Sequence, residues 1–365
     1  MYYKPPYHVE VETKPDYDEC MQRVYAWYDF DMLDRPPVRF SAHNAEFNVI
    51  DQHHRWKTLK DRWFDAEYQV DKYLESVRGK KLLGETFPIY WPNLGPNVYP
   101  CMLGGKVEFG EVTTWAQPEM KEMSEEECAK YVFSPDNEFF KKLEELTYLA
   151  IEKGKGQFTV GYTDIHHGTD CVDALRGTTN LFMDMYDEPE QTLKFVQHCS
   201  ENFAEIFNHF NDILVKNHQP SATWINIPSY EGFHIPGVDV SAMLGEEQFR
   251  KFILPTLQAE VKVAKHNVLH MDGKGVARHL DDFLKIPEIL AIQWVQGVGV
   301  DEPIMQWVPL IKKIQSAGKG VVVDLKVSEL DEFMDAVSPV GIYLCIASDD
   351  EEEQKEIIKS LLKWK

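Results

Sequence analysis

The chain has 365 residues, 44% hydrophobic and 27% charged, a balance ordinary for a soluble globular enzyme. Its formal net charge of −22 excludes nucleic acid, anionic membrane and polyanionic substrates as partners recognised through the general surface field. The amino terminus has no apolar signal core, no run reaches the length of a membrane span, and six scattered cysteines without a CxxC pair read as a reduced, cytoplasmic chain.

Residues 1–35 are expected to form an N-terminal extension with one helix over 17–27, ahead of a single domain at 36–365. The domain opens on the apolar run PPVRFSAHN (36–44), then a helical stretch at 48–78 and a second run, FPIYWPN (87–93). Between 101 and 118 the period-2 alternation of KVEFGEVTTW, punctuated by glycine, predicts a small β insertion after the second strand. A helix at 139–155 leads to FTVGYTD (158–164), and a long helical stretch at 187–217 leads to ATWINIP (222–228). A helix at 241–266, divided near Pro255, precedes NVLHMDG (267–273). The remaining runs, LAIQWVQG (290–297), KGVVVDLK (319–326) and GIYLCIAS (341–348), alternate with helices at 274–284, 302–317, 327–336 and 349–363. The acidic SDDEEEQKE falls where the last helix begins, a favourable place for carboxylates.

Eight strands alternating with helices predict an α/β fold, a (β/α)8 TIM barrel. The rival, an open doubly wound sheet, lacks support because no GxGxxG follows any strand. No nucleotide cofactor is expected, and GxSxG, P-loop and HExxH patterns are absent. In such barrels the chemistry sits at the carboxyl ends of the strands, which makes the last residues of each run the candidates.

His270 and Asp272 end the fifth run two residues apart, hence on one face, where they could serve as an acid/base pair or as metal ligands. Cys345 in the eighth run is the third candidate ligand for zinc, with a plain core cysteine as its other reading. Asp164 ends the third run, followed by His166 and His167, of which adjacency allows one at most to point inward. Trp91 with Asn93, Trp224 with Asn226, and Gln293 with Trp294 offer flat apolar walls and two-way amides suited to a small organic ligand, although tryptophan also fills cores by its size. His43 after the first strand joins the substrate-binding candidates. Asn44, His234, Asp239 and Asp324 are weaker additions, and Arg176 reads as an ion-pair anchor.

The segments DRPPV (34–38), DALRGTTNLFMDMYDEPEQ (173–191), HMDGKGVARHLDDFL, IQWVQGVG and AGKGVVV together resemble the uroporphyrinogen decarboxylase-like superfamily over residues 20–365. The resemblance implies a barrel and either of two activities, tetrapyrrole decarboxylation or corrinoid-linked methyl transfer. The decarboxylase branch carries an arginine-rich segment at the first strand. Here it reads RPPVRFSAHNAEF, with Arg39 in the strand and His43, Asn44 and Glu46 after it, so a polycarboxylate substrate is disfavoured. The methyltransferase branch binds zinc through His-x-Cys and a later Cys. His270 matches the histidine, Asp272 stands in the place of the first cysteine, and Cys345 is near the second. A carboxylate there makes the site harder and weakens the case for zinc.

These observations together lead to the expectation of a methyltransferase moving a methyl group between a small methylated compound and a corrinoid protein. The alternatives are a cofactor-free decarboxylase of a small acid, anchored by Arg39 or Arg176, and a non-catalytic ligand-binding barrel. The expected partners are a small-molecule substrate and a corrinoid carried by a partner protein, with no nucleic acid or membrane and with a homodimer admitted.

Overall fold

In the computed structural model, residues 1–41 and 55–364 are described. Six parallel strands form one curled sheet in the order β1 (Val38–Ser41), β10 (Ile342–Ala347), β9 (Gly320–Leu325), β8 (Ile289–Val295), β7 (His266–Asp272) and β6 (Phe233–His234). A separate parallel pair joins β2 (Ile89–Tyr90) to β5 (Thr159–Val160). The predicted insertion is an antiparallel hairpin of β3 (Lys106–Phe109) and β4 (Thr114–Gln117).

The two parallel sheets are linked by single hydrogen bonds. The Glu85 amide donates to Val38 O at 2.6 Å, and the Phe40 amide donates to Thr86 Oγ1 at 2.9 Å. On the far side of the pair, the Tyr162 amide donates to Ala222 O at 2.8 Å. The run at 222–228 does not form the expected fourth strand. A turn closes there, with the Asn226 amide on Thr223 O and Asn226 in the left-handed region at φ 54°, and only an antiparallel Ser221–Ser229 bridge remains. Pro220 and Pro228 flank the turn and remove ladder donors. The strand that pairs with β7 comes five residues later, at Phe233–His234.

Strand alternation divides the core into two layers. Leu269, Met271, Ile292, Trp294, Val321, Val323 and Leu344 point outward to the helices, in the larger cluster. Val268, Ala291, Val322, Tyr343 and Cys345 point to the concave side. The N-terminal segment packs against that concave side, so it is part of the core. Helix Tyr17–Tyr28 buries Tyr17, Val24, Trp27 and Tyr28, and Trp27 Nε1 donates to Gly341 O at 2.8 Å. A side chain at Gly320 would meet the Trp27 indole at about 3.0 Å, which keeps that position bare. Both glycines lie at the amino ends of their strands, so this plug closes the base and leaves the carboxyl ends open. A buried Arg35–Glu85 pair (2.7 and 2.9 Å) fixes the entry to β1, and Glu85 also accepts the Val38 amide.

The helices follow the alternation read in the sequence, with breaks where caps intervene. The stretch at 48–78 splits because Thr58 and Asp65 each cap a new start, giving Leu59–Trp63 and Ala66–Val77. The stretch at 187–217 divides into Pro189–His198 and Phe203–Lys216. The helix around Pro255 breaks at Ile253, giving Glu246–Phe252 and Leu254–Glu260. Among the described residues no helix is long and apolar enough to cross a membrane.

Candidate ligand cavity at the strand carboxyl ends

A cavity of about 400 Å³ opens above the carboxyl ends of β2, β5 and β7, a size suited to a small organic ligand. Trp91 and Asn93 reach it just past β2, Asp164 and His166 past β5, and His270 from β7; Trp224 comes from the turn that replaces the fourth strand. With Asp239, one of the weaker candidates, seven of the residues expected from the sequence therefore meet in one hollow. They are joined by Trp63, by Gly95 and Pro96 of the loop after β2, and by Val112 and Thr113 at the hairpin tip. Asn93 Oδ1 accepts the Gly95 amide at 2.8 Å and so shapes its own loop.

His270 is fixed from two sides. Its Nδ1 lies 2.8 Å from Oε1 of Gln293, its register partner on β8. With the amide oxygen on that side, the neutral ring carries its hydrogen on Nδ1, which donates to Gln293 and leaves the Nε2 lone pair unused by this bond. Trp224 meets the same imidazole edge to face, with ring centres 5.2 Å apart.

His166 Nε2 donates to Asp164 Oδ2 at 2.8 Å. Burial alone would lower the pKa of this ring. The adjoining Asp164 carboxylate outweighs burial, with Asp239 and Asp170 adding to it, and the imidazole is raised to about 10. It is therefore an imidazolium at neutral pH. Gly237 accommodates the ring, since a Cβ there would sit 2.8 Å from its Cε1. Behind it, Asp170 accepts the amides of Asp239 and Val240 (3.2 and 2.8 Å); burial and then the charge of Asp239 raise its carboxyl to about 7. His167 turns the other way, toward buried Glu260 at 3.2 Å and the ring of Phe203.

Other candidates lie elsewhere. Asp272 closes β7 on the same face as His270 but is exposed and lines no part of the cavity. Gln293 is buried and acts through His270. Asn226 sits in the turn with its Oδ1 buried and without a hydrogen-bond partner among the described residues. The expectation that Trp294 lines the ligand site is corrected. One residue along from Gln293, it faces outward, is 0% exposed and packs against Trp307 at 4.9 Å. His43 lies outside the described residues, as do Asn44 and Glu46. Arg176 forms the ion pair expected of it, with Asp184 at 2.7 and 3.2 Å.

Cys345 belongs to a second hollow, of about 270 Å³, lined also by Asp324, Gln296, Glu302, Lys326 and Glu329. Register places Arg39, Cys345 and Asp324 side by side on three neighbouring strands. Arg39 Nε donates to Cys345 Sγ at 2.8 Å, and Arg39 also donates to Ile225 O. Burial pushes the thiol up to about 12, against the lowering influence of Arg39, so it stays protonated. Asp324 opens to this hollow yet is ringed by protein, which raises its carboxyl. His270 and Cys345 line different hollows, Asp272 lines neither, and the Cys345 thiol is engaged by the Arg39 guanidinium. Among the described residues no group of three or more His, Cys, Asp or Glu is placed to hold a metal.

The residues that sequence reasoning left out arrive from outside the strand ends. Trp63 comes from a short helix, Val112 and Thr113 from a hairpin, and Asp170 from the first turn of helix Gly168–Arg176. Only the hairpin carried a signal that could have pointed to them, since an insertion after a barrel strand hangs over the active-site face.

No protein-family model matches the sequence, and no curated protein matches it. Among solved structures the fold is similar to that of a methyltransferase from Methanosarcina mazei, with a TM-score of 0.59 over 94% of this chain and 98% of that one, at 12% identity.

Proposed function

We propose that this chain is a methyltransferase of the uroporphyrinogen decarboxylase-like superfamily that moves a methyl group between a small methylated compound and a corrinoid protein. The observation that carries the reading is the cavity itself. On a fold shared with a methyltransferase, the cavity gathers two histidines, a paired carboxylate and three indoles around a space sized for a small molecule. In this reading the barrel is closed: β2, β5 and the 222–228 turn supply the side that the six-stranded sheet leaves open, through the single hydrogen bonds between them.

Within the cavity the indoles orient the methylated compound and exclude water. The charged His166, held by Asp164, and His270, held by Gln293, are the groups able to exchange a proton with the atom that loses its methyl group. A corrinoid presented by a partner would supply the methyl acceptor. Val298 and Val300, 88% and 86% exposed just beyond β8, give the same end of the sheet an apolar tip on which a partner protein can rest. Six free, buried cysteines suit a reducing cytoplasm.

A small-acid decarboxylase finds less support. Arg176 is taken up by Asp184, Arg39 holds Cys345 and Ile225 O, and neither lines the cavity. The test is methyl transfer to a reduced corrinoid protein from a panel of methylated amines and methoxy compounds, followed by the corrinoid absorption spectrum. Transfer that falls at least ~100-fold in His270→Ala is expected. Absence of transfer from every donor, with folded protein, overturns the proposal.

A further inference from the structure

The charge and surface chemistry of the cavity narrow the class of compound it takes. Trp63, Trp91 and Trp224 all contribute to its wall, and indole is the aromatic ring that attracts a cation most strongly through its negative face. No lysine or arginine is among the described lining residues. The His166 imidazolium is already paired with Asp164. Asp239 is a second carboxylate on the same wall, exposed, and among the described residues no lysine or arginine pairs with it. The described wall therefore carries two carboxylates, Asp164 and Asp239, and no lysine or arginine. An anionic ligand would meet repulsion from Asp239 and a cationic one attraction, whereas a neutral one leaves that exposed carboxylate in water as before.

Resting on the methyltransferase reading above, we infer that the cavity takes a small N-methylated cation, a quaternary or protonated tertiary ammonium, seated against the indoles of Trp63, Trp91 and Trp224 with Asp239 as its counter-charge. A tetrahedral ammonium bearing methyl groups spreads its charge over apolar carbon. It is satisfied by aromatic faces and a nearby carboxylate without any directed hydrogen bond. The Trp224 contact with His270 would place such a methyl group beside the imidazole that Gln293 orients.

The experiment is calorimetric titration of the intact protein with choline and tetramethylammonium, beside 3,3-dimethylbutanol, the uncharged carbon isostere of choline. Saturable binding of both cations is expected, with the isostere at least ~10-fold weaker. Trp224→Leu and Asp239→Asn should each weaken choline by roughly 3- to 30-fold. Trp224→Phe, which keeps a ring and guards against a folding defect, should recover part of that loss. Equal affinity for the isostere, or no cation binding at millimolar concentration in folded protein, overturns the inference. The same preparation, assayed for methyl transfer, separates the two claims. Transfer from methoxy compounds without cation binding removes the inference and keeps the activity. Cation binding without transfer from any donor keeps the ligand class and removes the activity.

Discussion

His270 on β7 and Gln293 on β8 are register partners, and their side chains meet at 2.8 Å between Nδ1 and Oε1. This bond sets which nitrogen of the neutral ring carries hydrogen, and under the proposed function it makes Gln293 a positioning residue. Replacing it by leucine should lower methyl transfer on the order of 10-fold through loss of ring orientation. Gln293→Glu tests the role more sharply. A carboxylate on Nδ1 favours the imidazolium, so the acidic limb of the pH–rate profile should move to higher pH. A purely structural role for Gln293 would leave that limb in place.

The Asp164–His166 pair makes stability depend on pH with a defined sign. The folded ring, raised to about 10, holds its proton far above the ordinary value near 6.5 of an unfolded chain. Its contribution is complete below about pH 6.5 and is lost as pH rises through about 10. Thermal unfolding of the wild type against His166→Gln should show the largest difference near pH 6, vanishing toward pH 10. Asp170, raised to about 7, acts in a lower window: ionising it weakens the fold as pH climbs from about 4 through 7. Asp170→Asn should flatten that part of the curve. An unchanged slope would mean that the carboxylate is solvated in the folded protein.

How the site could be read from the chain follows from strand geometry. Trp91, Asp164 and His270 each close an apolar run, and a parallel strand delivers such residues to one rim, so their meeting was legible before any coordinates. Trp294 obeys the same alternation that puts His270 and Asp272 on one face. Residues one apart face opposite ways, and Gln293 and Trp294 cannot share a wall. The turn at 222–228 was hidden because ATWINIP has the apolar content of a strand, while its two flanking prolines and the left-handed Asn226 decide the outcome. Asp272 and Cys345 failed to converge with His270 for a different reason. Spacing along the chain sets a face, but it does not say whether an Arg39 will claim the thiol first.

The outward position of Trp294 leads to a separable prediction. Trp294→Leu should cost a few kcal/mol of stability, near the range of large-to-small core replacements, because it empties the space beside Trp307. Ligand affinity in the folded fraction should not change. Thermal melts and calorimetry on one preparation check both. A loss of affinity with stability intact would return Trp294 to the ligand wall.

Cys345 should behave as an inert thiol. Protonated to about 12 and buried beside Arg39, it presents almost no thiolate near neutral pH. Iodoacetamide should leave it unmodified in the native protein and label it on unfolding, as read by peptide mass spectrometry. Metal content of the purified protein should be the same in Cys345→Ala as in the wild type. Loss of a stoichiometric metal in that variant would reinstate the thiol as a ligand.

Acid should loosen the plug at the base before it reaches the cavity. His266 is buried under the N-terminal helix, stacked on Tyr28 with centres 4.0 Å apart, edge-on to Tyr25, and 2.7 Å from Ser229 Oγ. Burial, with a smaller contribution from Lys265, lowers the ring to about 3, so it is neutral when folded. The unfolded chain binds this proton more readily, and stability falls as pH drops from about 6.5 toward 3. His266→Phe keeps the stack and discards the titration. It should lose about 1 kcal/mol at pH 7, from the forfeited Ser229 hydrogen bond, and decline less steeply in acid. Tryptophan fluorescence of Trp27, which sits in the same plug, should follow the transition. Parallel acid curves for variant and wild type would show that the helix lets go for a reason other than the His266 ring.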